Sequence, residues 1–221
     1  MSIYLFNPNT NPDTTKAMAE LASAEGLRVT GRTAPFGVPM IVEPSSLAQS
    51  ADAVVAMLDE LLDAGAPIQG IIIAAFGDPG LAQVRAKAIL RDKGISVCGI
   101  GEASFIEAGA EGRRFAVATT TPALEGAIRS AVDASGMSAN FLGSFFTKAD
   151  PFAAVRNPAW LVELLAEAVL EAKTAGAEAV IIGGGPLAKA ASKLVGKQDL
   201  VIIEPVPAAA RLMARRIARG A

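Results

Sequence analysis

Short apolar runs alternate with amphipathic stretches along the whole chain, a rhythm that predicts strands and helices in turn. The first run, Ile3–Phe6, ends in the turn-forming Asn7-Pro8-Asn9-Thr10-Asn11-Pro12, and a helix follows with Asp13 or Thr14 as its N-cap. Arg28–Arg32 reads as a second strand, and Ser45 or Ser46 opens a long amphipathic helix to Asp63, closed by Gly65. Ile71–Ala75 is an unbroken apolar run of the kind that parallel sheets bury on both faces, with Pro79 near the first turn of the next helix. The second half repeats the rhythm. Strands are expected at Ser96–Cys98, Phe115–Ala118, Glu178–Ile182 and Leu200–Ile203. Helices are expected near Glu102–Ala110, after Thr121, from Asn157-Pro158 to about Ala175, at Pro186–Val195 and at Val206–Arg219. The less regular stretch 138–156 has room for one more strand; its Phe141, Phe145 and Phe146 read first as core, with a ligand site or subunit interface as alternatives.

Strand–turn–helix units in this order imply an α/β fold with parallel sheets and right-handed crossovers. In open α/β sheets, ligands sit outside the carboxyl ends of the strands. The unusual loops all fall there: Asn7–Asn11, Phe76–Gly80, Gly99–Ser104, Thr119–Thr121 and Gly183–Pro186. They offer backbone N–H groups, amides, small hydroxyls and helix starts, the parts of an anion or carboxylate cradle. None contains Arg or Lys, so they suit a small carboxylate or amide better than a polyphosphate.

Composition narrows the chemistry. The chain has 221 residues, 52% hydrophobic and 19% charged, enough for one large α/β domain or two lobes of about 100 residues each. The net charge of −2 makes no case for binding nucleic acid. No apolar run approaches the roughly 18 residues of a spanning helix. The opening residues lack the basic start of a signal peptide, and a cytoplasmic location is expected, with no membrane partner. There is no histidine, which excludes Ser-His-Asp and Cys-His mechanisms and imidazole metal ligands. The single cysteine, Cys98, excludes an intramolecular disulfide; in its apolar context it reads as a small buried hydrophobe.

Several motifs carry two readings. Gly183-Gly184-Gly185-Pro186-Leu187-Ala188 matches a GxGxxA dinucleotide pattern, with Glu204 at the end of the next strand as a ribose contact. Its position near the C-terminus and the N–H missing at Pro186 weigh against that. Asp78, within Phe76-Gly77-Asp78-Pro79-Gly80, is either a helix N-cap or a general acid/base, and Glu102 divides in the same way. Arg211, Arg215, Arg216 and Arg219 read as a solvated helix face.

Together these motifs resemble the Asp/Glu/hydantoin racemase superfamily. Asn7-Pro8-Asn9-Thr10 is similar to its first loop. Phe76-Gly77-Asp78-Pro79-Gly80-Leu81, Gly99-Ile100-Gly101-Glu102-Ala103 and Val117-Ala118-Thr119-Thr120 resemble the hydantoin and allantoin racemase branch in order and spacing. The resemblance covers nearly the whole chain. It implies two pseudo-symmetric α/β lobes, each a parallel-sheet sandwich, with the site in the cleft between them. The expected division is 1–95 with 206–221 as the first lobe and 96–205 as the second. A homo-oligomer, a small-molecule substrate, no metal and no organic cofactor are implied.

The same resemblance creates a conflict. The family's racemases use one cysteine at a strand end in each lobe, a thiolate and a thiol on opposite faces of the substrate. By motif these positions fall on Ala75 and Gly184, neither of which carries a proton, and Cys98 matches neither. The expectation is a diverged, cofactor-independent isomerase, lyase or hydrolase acting on a small carboxylate, hydantoin or amide. The implied substrate-binding residues are Asn7, Asn9, Phe76, Gly77, Thr119, Thr120, Thr121, Gly185 and Pro186, with Asp78 and Glu102 as the acid/base candidates. A non-catalytic binding protein, a deliberately disarmed variant and, behind these, a dinucleotide-binding protein are the other readings.

Overall fold

The computed structural model describes residues 2–197 and 199–220; Met1, part of the opening run, lies outside them. The chain forms two units, 1–100 with 206–221, and 101–205.

In the first unit, β1 (Ser2–Asn7), β2 (Val29–Thr33), β3 (Ile68–Ile73) and β4 (Ser96–Gly99) form a parallel sheet in the order β2-β1-β3-β4. They alternate with α1 (Pro12–Ser23), α2 (Pro44–Asp63), α3 (Leu81–Ala86) and α4 (Ala88–Asp92). Both faces of β3 are buried, as its Ile71-Ile72-Ile73 run requires. On one face Phe6, Ile71 and Ile73 pack with Met57, Leu58 and Val84. Burial of such side chains is worth about 1.5–3 kcal/mol each. The last helix belongs to this unit, and its Met213 seats against Gly70 so closely that a Cβ there would lie 2.6 Å from the sulfur.

The second unit repeats the order. Strands β5 (Phe115–Thr119), β6 (Phe141–Phe146), β7 (Ala179–Ile182) and β8 (Val201–Ile203) form a parallel sheet ordered β6-β5-β7-β8. The helices are α5 (Ile100–Ala108), which opens at the junction of the two units, α6 (Glu125–Ser135), α7 (Pro151–Arg156), α8 (Pro158–Thr174) and α9 (Ala188–Leu194); α10 (Pro205–Gly220) is the last helix, which belongs to the first unit. Ala116, Ala118, Val180 and Ile182 pack beneath Leu161, Leu165 and Val169 of α8. Phe145, partly buried, packs against that core, and the ring of Phe141, also partly buried, lies 5.5 Å from that of Phe115.

Four boundaries differ from the sequence expectation. Helix α1 is capped by Asn11, whose side chain accepts from the N–H groups of Asp13 and Thr14, because Pro12 already occupies the first helical position. Helix α2 starts at Pro44, ahead of the two serines, with Ser46 and Glu43 forming a capping box. Strand β3 is displaced toward Ile68, so Ala74 and Ala75 lie beyond its end. The Ser96–Gly99 strand, expected to open the second lobe, pairs with β3 and is the edge of the first sheet.

Candidate functional site

The strand order itself points to a location in each unit. From β1 the chain moves outward to β2, then returns across β1 to place β3 on its other side, so the winding reverses between β1 and β3. The same reversal falls between β5 and β7. Helices leave such a pair of strands in opposite directions, which opens a crevice at their carboxyl ends. Asn7, Asn9 and the 74–80 loop stand at the first reversal; Thr119–Thr121 and Gly183–Pro186 stand at the second.

At the first reversal, the Ala74 N–H donates to Phe6 O at 2.8 Å and binds the two strand ends together. Asn7 and Asn9 are 0% and 4% exposed. Asn7 Nδ2 donates to Asn9 Oδ1 (2.9 Å), Thr15 Oγ1 (2.9 Å) and Asn11 O (3.1 Å). Thr15 Oγ1 in turn shares a hydrogen with Thr33 Oγ1 at 2.7 Å, tying α1 to β2. Beyond Ala75 and Phe76, both buried, the chain turns sharply: Gly77, Asp78 and Gly80 all have positive φ, 99°, 50° and 77°. Asp78 is one of two non-glycine residues in that region among the described residues, and a short polar side chain tolerates it best. Asp78 does not cap the helix that follows, since Gly80 holds that position without a side-chain bond. Its carboxyl group lies instead on Gly99, at the end of β4, where any Cβ would overlap it. That places a negative charge one residue ahead of α5, the end of a helix that favours it. Glu102 occupies the first turn of the same helix.

At the second reversal, the Gly183 N–H donates to Ala118 O at 2.9 Å, the counterpart of the Ala74 bond. Thr119 Oγ1 donates to Gly183 O (2.8 Å) and lies 3.3 Å from Thr121 Oγ1. Thr119 and Thr120 are buried, whereas Thr121 is only partly so. Gly184 has φ 134° and ψ 132°, a conformation that side chains rarely adopt, and Gly185-Pro186-Leu187 then forms a single 3-10 turn leading into α9. Ala75 and Gly184 are thus topological equivalents, each the residue after the strand-joining N–H. Glu204 accepts a hydrogen bond from Ser192 Oγ on α9.

The sequence profile of the Asp/Glu/hydantoin racemase family matches residues 3–213. The chain belongs to the Asp/Glu/hydantoin racemase family. A hydantoin racemase from Paenarthrobacter aurescens is 26% identical over 226 residues, covering 100% of this chain and 92% of that protein. The structure of an allantoin racemase from Klebsiella pneumoniae superposes with a TM-score of 0.84 at 26% identity, covering 100% of this chain and 89% of the other. An allantoin racemase structure from Pseudomonas fluorescens gives 0.88 at 21% identity, covering 100% and 92%, a likeness of fold.

Within this family member, sequence reasoning missed Thr147, which extends β6 and donates its N–H to Thr119 O at 3.0 Å. Its hydroxyl and that of Ser144 are the buried side-chain polar atoms without a partner among the described residues. A polar residue closing a predicted strand at its carboxyl end was the available signal. Thr15 and Thr33 were missed too, because their role depends on Asn7. Among the described residues no group of three or more Cys, Asp or Glu gathers to hold a metal ion, and no helix is long and apolar enough to cross a membrane.

Proposed function

We propose that this chain binds a small carboxylate, hydantoin or amide and transforms it without a cofactor and without the two-cysteine proton relay. The carrying observation is the contrast at the two winding reversals. Their polar loops are fully furnished, yet the equivalent positions Ala75 and Gly184 hold no ionisable group. The hydantoin and allantoin racemases to which the chain is similar suggest the substrate class. In this reading Asn9, the backbone N–H groups near Gly77 and Gly185, and the hydroxyls of Thr119, Thr120 and Thr121 hold developing negative charge on substrate oxygen. Phe76 and Pro186 supply apolar walls, and Asp78 or Glu102 moves a proton. The Gly184 backbone, in glycine-only territory, supports natural divergence over a disarmed variant. A cytoplasmic homo-oligomer completes the proposal, with size-exclusion chromatography testing the second half.

One observation favours a second reading, a non-catalytic binding protein. The Asp78 carboxyl group packs on Gly99 ahead of a helix, a structural use that removes one acid/base candidate from the chemistry.

Proton NMR in D₂O separates the two. The protein is incubated with single enantiomers of 5-substituted hydantoins, allantoin, aspartate, glutamate and small malonates. New product resonances establish a lyase or hydrolase. Loss of the α-proton signal from an otherwise intact molecule shows proton exchange without the cysteine pair. Line broadening alone establishes binding, and unchanged spectra throughout overturn the substrate classes proposed.

A further inference from the structure

We infer that Asn7 is a positioning residue that locks the side-chain amide of Asn9 in one orientation, so that Asn9 presents N–H donors and selects an oxygen acceptor on the ligand. The inference deepens the proposed function and rests on its reading of the β1 end as part of a small-molecule site.

Two backbone N–H groups decide the matter, because a backbone N–H can only donate. The Asn9 N–H points to the Asn7 side chain at 3.2 Å, so the atom it meets is the acceptor, Oδ1. That leaves Nδ2 of Asn7 as the donor to Asn9 Oδ1, Thr15 Oγ1 and Asn11 O. The Asn11 N–H in turn points to Asn9 Oδ1 at 2.9 Å, and the same oxygen accepts from Asn7 Nδ2. Flipping either amide would set donor against donor. Both acceptor directions of Asn9 Oδ1 are therefore spent within the loop.

Asn9 Nδ2 is left over. Asn9 is 96% buried by its 4% exposure, yet no protein acceptor takes up its Nδ2 among the described residues, and the atom is not sealed from solvent. A donor fixed in direction and open to solvent at a winding reversal is available to an external acceptor, which needs only to displace water from it. The fit is to a carboxylate oxygen or a ring carbonyl; the ring N–H of a hydantoin finds nothing to bond with at this atom. The orientation is braced from behind by Thr15, which receives Asn7 Nδ2 and is anchored to Thr33.

The test uses ¹⁵N-labelled full-length protein with methylmalonate and 5-methylhydantoin as probes. In the free protein the Asn7 side-chain amide protons should exchange slowly with solvent and those of Asn9 rapidly. Methylmalonate should shift the Asn9 side-chain amide signals, and Asn9→Asp should weaken binding of either probe by about tenfold or more. Thr15→Val should weaken binding while Thr15→Ser, which restores the hydroxyl, should keep it; a merely structural role would not follow that pattern with equal folded fractions. Binding of 5-methylhydantoin that is retained or tightened in Asn9→Asp, or an Asn7 amide that exchanges as fast as that of Asn9, overturns the inference. If the unaltered protein binds neither probe, the proposed function fails, and the exchange contrast alone decides the orientation.

Discussion

The two units wind in the same order, but they anchor the polar residues at their reversals differently. Asn7 in the first sheet and Thr119 in the second occupy equivalent strand-end positions, opposite Thr33 and Phe146 respectively. Asn7 is held by its own following loop and helix, through Asn9, Asn11 and Thr15. Thr119 is held across the reversal, by Gly183 O, which ties it to the glycine loop. The first arrangement is a closed local network; the second couples two loops distant in sequence and leaves the adjacent Thr147 hydroxyl unsatisfied. One topology therefore holds its strand-end polar residue by a local network in one unit and by a bond between distant segments in the other. The choice of hydrogen-bond partners, more than strand order, distinguishes them.

Breaking the closed network should have the largest effect. Asn7→Leu removes the donors of Nδ2 and the acceptor of the Asn9 N–H inside a fully buried site, and should cost about 3–4 kcal/mol in urea unfolding. Next comes the asymmetry between the equivalent positions Ala75 and Gly184. Gly184→Cys forces a side chain into a positive-φ conformation and should cost about 1–3 kcal/mol, whereas Ala75→Cys should change stability by less than about 1 kcal/mol. Melting temperatures of the two variants check this, and equal losses would erase the distinction. Thr119→Val breaks the bond to Gly183 O and should cost about 1–2 kcal/mol in the same unfolding assay. Thr147→Val, by contrast, removes a hydroxyl that has no partner and should be neutral or stabilising. A loss there would mean that the hydroxyl is engaged after all.

The smallest effect lies on the surface of the second unit. The Glu171 carboxylate, which accepts a hydrogen bond from Lys148 Nζ at 2.7 Å and attracts its charge, raises the Lys148 pKa above its ordinary value. A raised lysine pKa stabilises the folded state fully below the unfolded value and loses that contribution as pH climbs through the folded one. Lys148→Met should therefore lower the melting temperature slightly at pH 7 and leave no difference from the unaltered chain at strongly alkaline pH, where the ammonium is gone in both.

Much of the layout was legible because it rests on local pattern. Continuous apolar runs mark strands buried on both faces and the 3.6-residue period marks a helix's buried face, so strands such as Phe115–Thr119 and helices such as Pro158–Thr174 could be read from the chain. The reading failed where two local signals competed. At the start of α1, Asn11, Asp13 and Thr14 are all good caps, and only the backbone bend ahead of Pro12 selects Asn11. Asp78 has the local grammar of a cap for the next helix, yet its side chain goes to Gly99, a residue that comes close only through the pairing of β3 with β4.

By itself the sequence determined the alternation of strand and helix, the polar character of the carboxyl-end loops, and the absence of histidine and of any thiol at positions 75 and 184. These are properties of residue identity and short-range spacing, and no fold can alter them. Only the tertiary structure decided where the winding reverses, which amide atom Asn9 presents, and that Thr119 reaches Gly183 across 64 residues of chain. Each of these depends on strand neighbours and on hydrogen bonds between segments far apart in sequence. Such contacts are chosen by the packing of the whole unit, and local propensity carries no record of them.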